Sequence, residues 1–211
     1  MSQPFSNHSF RFVGIAAAAL LVAAAQQGLA QVALLDPVAW SSTAGGGFSL
    51  GYSITVGGQD LSVSEMGYFD RPHTVGLFGS YDMGIWDSLG SLVASATVPS
   101  GNVAPLIGDY HYVALGTPVI LQSGHTYTIG AKTTGADDFF WEGPATVNGA
   151  TIVDPALFDN THSSLVEPTS SAPHQFFEVN LMVTPVPEPA TYSVAVGLAM
   201  LGFASWSRVR K

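Results

Sequence analysis

The chain has 211 residues and no cysteine, and its 15 acidic residues outnumber six lysines and arginines to give a formal charge of −9. Four of the six cations lie in the terminal segments, so residues 31–189 carry two cations against all 15 acids, a formal charge of −13. This balance argues against a nucleic-acid partner, because contact with phosphate needs a cationic surface. The absence of cysteine excludes a disulfide framework.

Residues 1–30 have the pattern of a secretory signal peptide. A weakly positive start precedes an apolar run over residues 12–25, and small residues follow at 28–30. Signal peptidase is expected to cut before Gln31, although a cut after Ala25 fits nearly as well. The sequence therefore predicts an exported protein whose mature part begins near residue 31.

Residues 31–185 are predicted to form a single antiparallel β-sandwich with a jelly-roll or immunoglobulin-like layout. Apolar and small polar residues alternate over 48–56, which predicts a half-buried strand. Gly57-Gly58 predicts a tight reversal, and a change of apolar phase after Glu65 predicts a bulge. Further strands are predicted at 61–63, 74–78, 82–86, 92–98, 110–115, 119–121, 126–132 and 176–183, with weak strand signals in 144–160.

An acidic and aromatic segment, residues 137–142, contains the candidate ligand site. Carboxylates beside aromatic rings are typical of sites that bind or cleave glycans, since acids transfer protons and rings stack on sugars. The favoured interpretation of the segment is nevertheless an acidic loop whose aromatic side chains close the end of a sandwich. The hypothesis is glycan binding, and a hydrolase with Asp138 or Glu142 as acid or base is an alternative. The candidate residues are Asp137, Asp138, Phe140, Trp141 and Glu142.

Aspartates in predicted turns suggest a further alternative, a Ca²⁺-stabilised adhesion module. Asp70, Asp82, Asp87 and Asp109 offer the hard oxygen ligands that calcium prefers. Their spacing lacks the regular series of a calcium loop, which favours solvated turn aspartates. The histidines lack zinc-site spacing, and nucleophile and phosphate-binding motifs are absent from the sequence. No catalytic residue, metal or cofactor is therefore expected.

Two stretches near the end of the mature part are predicted to lack regular structure. Residues 161–173 are rich in Ser, Thr and Pro, a composition that predicts a long surface loop. Pro185 to Pro189 should stay extended, because prolines cannot continue a helix and lack an amide donor.

The last 26 residues contain three parts in order. Pro187, Glu188 and Pro189 come first, and residues 190–206 form an uncharged apolar run of 17. That length is near the lower limit of about 17 residues for a transmembrane helix, which satisfies its own backbone groups in lipid. The basic residues that follow favour the cytoplasmic side. They are Arg208, Arg210 and Lys211, in the tail 207–211.

This order of features resembles the PEP-CTERM sorting signal of Gram-negative bacteria, which is also labelled the ice-binding protein C-terminal domain. The motif residues are 187–189 and the resemblance covers the last 26 residues. It implies recognition by an exosortase, a membrane enzyme that cuts near Pro-Glu-Pro. The protein would be anchored first in the membrane and then reach the cell surface or the extracellular matrix. The resemblance implies nothing about ice binding.

A second resemblance concerns the mature part. GIWDSLGSLVASATVPSG (84–101) and HYVALGTPVILQSGHTYTIGA (111–131) are similar to a β-sandwich module of secreted PEP-CTERM proteins. That module has no assigned activity, so the similarity implies a fold and leaves the ligand open. Together these features lead us to expect a structural, adhesive or exopolysaccharide-associated envelope protein that is not an enzyme.

Overall fold

The structure of this chain is a computed structural model, and the part that it describes is entirely β. Those residues are 30–37, 40–44, 47–70, 75–134, 138–141 and 145–187. They contain no helix, and hence none with the length and apolar character needed to cross a bilayer. The predicted signal peptide and the predicted transmembrane segment 190–206 lie outside the described residues.

Fifteen strands make up the described part, and every pairing between them is antiparallel. The strands are β1 (Val32–Ala33), β2 (Leu35–Pro37), β3 (Trp40–Ala44), β4 (Ser49–Val56), β5 (Leu61–Phe69), β6 (Tyr81–Asp87), β7 (Leu92–Val98), β8 (Leu106–Ile107), β9 (Tyr110–Leu121), β10 (Thr126–Lys132), β11 (Asp138–Trp141), β12 (Ala145–Val147), β13 (Ala150–Asp159), β14 (Ser170–Ser171) and β15 (Val179–Pro185).

Two larger sheets hold most of these strands. One has the order β1-β15-β5-β9-β8 and the other the order β14-β13-β4-β10-β6-β7. Two small sheets, β11-β3 and β12-β2, lie beside them in the same compact unit, Gln31–Val186. Both larger sheets contribute to one hydrophobic core, as expected when each sheet buries one face. The arrangement is consistent with a β-sandwich.

The core residues follow the alternation that the sequence shows. Tyr52, Ile54 and Val56 of β4 are buried in the core, next to alternate residues of β10 such as Ile129. Tyr68 of the five-stranded sheet stacks on Tyr81 of the six-stranded sheet, with ring centroids 4.1 Å apart. Stacked aromatic rings bury much apolar area and are geometrically specific. This pair therefore joins the two sheets directly.

Several sequence predictions are confirmed. Strands occur at 49–56, 92–98 and 126–132, close to the predicted ranges. The bulge predicted after Glu65 lies just before it, at Ser64, where the pairing of β5 with β15 shifts by one residue and the pairing of β5 with β9 skips residues 115–118 of β9. The two strands predicted within 110–121 form one long strand, β9.

Other predictions are corrected by the structure. Residues 75–78 form no strand, because Gly76 has a positive φ of 75° and Leu77 makes only an isolated bridge to Gly101. The weak strand signals in 144–160, by contrast, are confirmed, since β12 and the ten-residue strand β13 lie there. Strands also precede the predicted first strand, since β1 to β3 lie within residues 32–44.

Candidate functional site

Four residues of the predicted glycan-binding segment form a strand, so the loop expected for 137–142 is wrong there. Asp138–Trp141 pairs with Trp40–Ala44, and the register shifts between Phe140 and Trp141. Bulky aromatic residues favour strands, and the partner strand lies about 100 residues away in the sequence. Asp137 and Glu142 lie outside the described residues.

The sorting-signal residues fall at the limit of the described chain. Pro187 is its last residue, and Glu188, Pro189, Arg208, Arg210 and Lys211 lie outside it. The predicted extended linker begins inside a strand, since Pro185 ends β15 opposite Leu61. The next amide, of Val186, donates to the carbonyl oxygen of Asp60 over 2.8 Å.

The four turn aspartates do not converge. Asp82 accepts a hydrogen bond from the Thr97 hydroxyl at 2.6 Å. Asp87 Oδ1 accepts the amides of two residues in the β6–β7 turn. Among the described residues, no group of three or more histidine or acidic side chains is arranged to hold a metal ion. The sequence favours solvated turn aspartates, and for Asp70 this prediction is wrong, because Asp70 is buried.

Asp70 and His111 form a buried pair between the end of β5 and the start of β9. The distance from Asp70 Oδ2 to His111 Nε2 is 2.9 Å. The other ring nitrogen, Nδ1, lies 2.7 Å from the carbonyl oxygen of Ala104. Burial of a carboxylate is costly unless it is paired and hydrogen-bonded. The pair therefore fixes the turn around Ala104 to the five-stranded sheet.

The hydrogen-bond partners of His111 fix the role of one ring nitrogen. A carbonyl oxygen can only accept, so His111 Nδ1 must be the donor to Ala104. Nε2 then faces Asp70, and a neutral imidazole has no second N–H to donate. A hydrogen bond between Nε2 and Asp70 Oδ2 therefore needs one further hydrogen, carried by either of these two atoms.

Two tyrosine hydroxyls bind the backbone on either side of a second buried acid, Glu178. The Tyr110 hydroxyl donates to the carbonyl oxygen of Phe177 at 2.7 Å, and the Tyr52 hydroxyl to that of Val179 at 3.0 Å. Burial raises the pKa of both hydroxyls well above the usual range, and neighbouring tyrosines and Glu178 raise it further. Both tyrosines therefore stay neutral donors and hold the backbone on either side of Glu178.

Residues 161–169, which we call the strap, lie against the outer face of the six-stranded sheet. Glu167 Oε1 accepts the Thr128 hydroxyl at 2.9 Å. Lys132 Nζ donates to the carbonyl oxygen of His162 at 2.8 Å and also to that of Gly47. Pro168 is buried. The long surface loop predicted for 161–173 is therefore partly a covering segment.

A row of glycines makes room for the strap. Gly51, Gly130 and Gly84 are direct neighbours across β4, β10 and β6. A Cβ atom on Gly130 would lie 3.0 Å from Pro168, and one on Gly84 would lie 2.5 Å from the ring of Trp86. Both the strap and the Trp86 ring thus use space that only glycine leaves open.

Trp86 lies on this outer face. It belongs to the same face as Gly84 and is paired in register with Thr128, to which the strap binds. Only 5 % of its surface is exposed, although it is not part of the central core. A buried side chain at an outward-facing position must be covered by chain that crosses that face. The strap is the segment whose contacts lie beside it.

The strap begins with a short hydrogen-bonded turn. Asp159 Oδ1 accepts the amides of Thr161 and His162 and lies 2.9 Å from His162 Nδ1. The hydrogen bond from His162 is the main reason that the pKa of Asp159 falls from 3.8 to about 2. Because its folded pKa is lowered, Asp159 supports this turn above about pH 3.8 and ceases to do so as the pH falls towards 2.

We expect the ¹³C resonance of the Asp159 carboxyl group to titrate near pH 2 and, in His162→Ala, to move towards 3.8. The change removes the largest cause of the lowered pKa. His125→Ala, which alters an exposed histidine elsewhere, is the control and should leave the midpoint in place. An unchanged midpoint in His162→Ala would show that the backbone amides, rather than the imidazole, hold the carboxylate.

A shallow depression of about 280 Å³ lies where the turn after β4 meets the turn before β13. It is lined by Gly57, Gly58, Gln59, Leu61 and Gly149, among others, and no titratable side chain faces it. Binding sites usually combine an apolar pocket with a few convergent polar groups. This depression lacks the groups needed for acid–base chemistry.

The buried polar groups were missed by sequence reasoning because they are distant in sequence. Asp70 and His111 are 41 residues apart, and neither belongs to a motif. One signal was present: His111 sits between Tyr110 and Tyr112 in a strand where all three side chains are buried. A histidine on the opposite face from two buried tyrosines needs a polar partner of its own.

Comparison with known proteins adds no relative. No protein-family model, no curated protein and no solved structure matches this chain.

Proposed function

We propose that this chain is an exported envelope or extracellular-matrix protein, sorted by its C-terminal tail and structural or adhesive in role. One observation carries the proposal. Pro187-Glu188-Pro189 is followed by the apolar run 190–206 and then by the basic residues of the tail 207–211. The signal-peptide pattern of residues 1–30 supports it independently. Signal peptidase and an exosortase would be the processing partners, in a Gram-negative bacterium.

The domain between the predicted signal peptide and the C-terminal sorting signal suits such a role. We propose a jelly-roll layout for it, with boundaries at 31–185. The chain changes sheet between β4 and β5, β5 and β6, β7 and β8, β9 and β10, and β14 and β15. A jelly roll also divides its strands between two sheets with connections that cross from one to the other. Such a fold is stable without disulfides when its core is large.

Processing and location can be tested together in the native bacterium. We expect mass spectrometry of the mature protein to find a new N-terminus near Gln31 and a C-terminus near 187–189, in the surface or medium fraction. Glu188→Gln should keep the chain in the membrane fraction with residues 190–211 intact. Glu167→Gln is the matched control and should be processed normally. A protein that stays in the cytoplasm with both termini intact would overturn the proposal.

Exopolysaccharide is the ligand class that we propose, through the segment 137–142. Trp141 and Phe140 would supply stacking surfaces, and Asp137, Asp138 and Glu142 hydrogen-bond acceptors. On a glycan array, Trp141→Ala should lose most of the binding. Binding that survives this change would remove the segment from the proposal and leave the sorting signal unaffected.

A further inference from the structure

The ends of the two larger sheets differ in one respect. Three of the four edge strands, β1, β8 and β14, are two residues long, whereas β7 at the end of the six-stranded sheet has seven residues. An edge strand presents a row of backbone donors and acceptors, and proteins commonly protect such edges by keeping them short. Edge β7 lacks this protection.

Edge β7 also lacks the side chains that usually protect an edge. Its sequence, LVASATV, contains no charge and no proline. Leu92 is 51 % exposed and Val93 is 39 % exposed, while Val98 at the other end is buried. Within the described part of the chain β7 pairs with β6 alone. An uncharged edge of this length is a template for strand addition.

Strand β9, which lies near β7, is less suited to bind an added strand. Beyond the short contact with β8, the described residues 113, 114, 119 and 120 of β9 pair with β5 alone, and residues 115–118 lie in a break of that pairing. Strand β9 packs beside β7, and its Ile120 is 47 % exposed. However, Gly116 and Pro118 interrupt this stretch, and proline removes a ladder donor. Strand β9 therefore lies near β7 but is itself a poor template for an added strand.

Charge identifies the kind of partner. Residues 81–121, which build this side of the protein, contain three aspartates and no lysine, arginine or glutamate. These are Asp82, Asp87 and Asp109; the histidine in this stretch, His111, is buried. Binding of a second copy of this chain at the same edge would bring two sets of these aspartates together, and like charges at an interface are unfavourable. A cationic partner would be attracted by the same aspartates.

We propose that the open edge of β7 binds an extended, cationic segment of another protein as an added β-strand. Backbone hydrogen bonds to β7 supply the affinity, and exposed Leu92 and Val93 pack against alternate side chains of the incoming strand. Lysine or arginine residues flanking that strand face the aspartates. The inference rests on edge and charge alone and does not depend on the sorting signal or on glycan binding.

A synthetic peptide tests the proposal directly. The probe is fluorescein-labelled Lys-Thr-Val-Thr-Val-Thr-Val-Lys, titrated with the full chain at low ionic strength and followed by fluorescence anisotropy. One comparison peptide replaces both lysines with glutamate. Another keeps the lysines and carries N-methyl groups on alternate amides, which removes ladder hydrogen bonds without changing the charge. We expect the probe to bind at least about tenfold more tightly than either comparison peptide.

Matched variants locate the site. Ser95→Lys places a cation on β7, and Ser170→Lys makes the same charge change on β14, at the opposite edge of the sheet. The first should weaken probe binding at least about tenfold, and the second should change it less than about twofold. Hydrogen exchange of the unsubstituted protein should slow within residues 92–98 when the probe is bound, a result that needs no variant to fold.

Three outcomes would overturn the proposal. Equal binding of the N-methylated peptide would show simple charge attraction without strand addition. Exchange protection outside residues 92–98 would place the peptide elsewhere. A concentration-dependent dimer without peptide, abolished by Ser95→Lys, would show that a second copy occupies the edge.

Discussion

Replacing His111 with alanine is expected to lower the free energy of unfolding by about 2 kcal/mol or more, because each buried polar group left without its hydrogen-bond partner costs about 1–3 kcal/mol. The variant takes the imidazole away from Asp70 and from the carbonyl of Ala104 while both stay buried. Urea unfolding of the full chain, followed by tryptophan fluorescence, measures the loss.

The control for this variant is His125→Ala, at an exposed turn position. It should alter the free energy of unfolding by no more than about 0.5 kcal/mol. In addition, the ¹⁵N chemical shifts of the His111 ring show which of its nitrogens carries a hydrogen. We expect Asp70→Asn to change that spectrum, because the group opposite Nε2 is then an amide. A His111→Ala variant as stable as the control would contradict a structural role for the pair.

Gly51→Ala is expected to lower the free energy of unfolding by about 1–3 kcal/mol, as in other overpacked sites. The added Cβ would lie 2.1 Å from the carbonyl oxygen of Ile129, a backbone atom of the neighbouring strand. The strands β4 and β10 would therefore have to separate locally. Thermal and urea unfolding measure the change.

Gly116→Ala offers a matched comparison in another strand. A Cβ at Gly116 meets no atom within 4 Å, so alanine there should be neutral or stabilise the protein by about 0.5 kcal/mol through its lower unfolded-state entropy. Equal effects at the two glycines would show that strand propensity, rather than the close approach of β4 and β10, governs Gly51.

Strands with regular alternation could be predicted from the sequence. Alternate residues over 52–56 lie in the core, as the pattern predicts. The prediction of a half-buried strand is wrong, however, because almost every residue of β4 is buried. Residues 32–44 could not be predicted, because their short strands pair with partners more than 90 residues away and show no alternation. In β13 two register shifts interrupt the alternation of apolar and polar residues, so the sequence gives only a weak strand signal there.

The candidate site was harder to predict than the fold. Local composition drew attention to residues 137–142, four of which pair as a strand with residues 40–44. The buried Asp70–His111 pair and the glycine row have no local signature, because each depends on registers set by several strands. Aspartates and glycines in a β protein are typical of turns, which is where sequence reasoning placed Asp70.

The strap has a practical consequence for handling this protein. A single ammonium group, on Lys132, joins the backbone of Gly47 to that of His162, and the chain contains no sulfur bridge that could do the same. Reducing agents therefore cannot break this link between the strap and the sheet. Acetylation or carbamylation of the Lys132 amine removes its positive charge and its hydrogen-bond donors together. Reagents that label amines should unmask Trp86 and shift its fluorescence before the sheets themselves come apart.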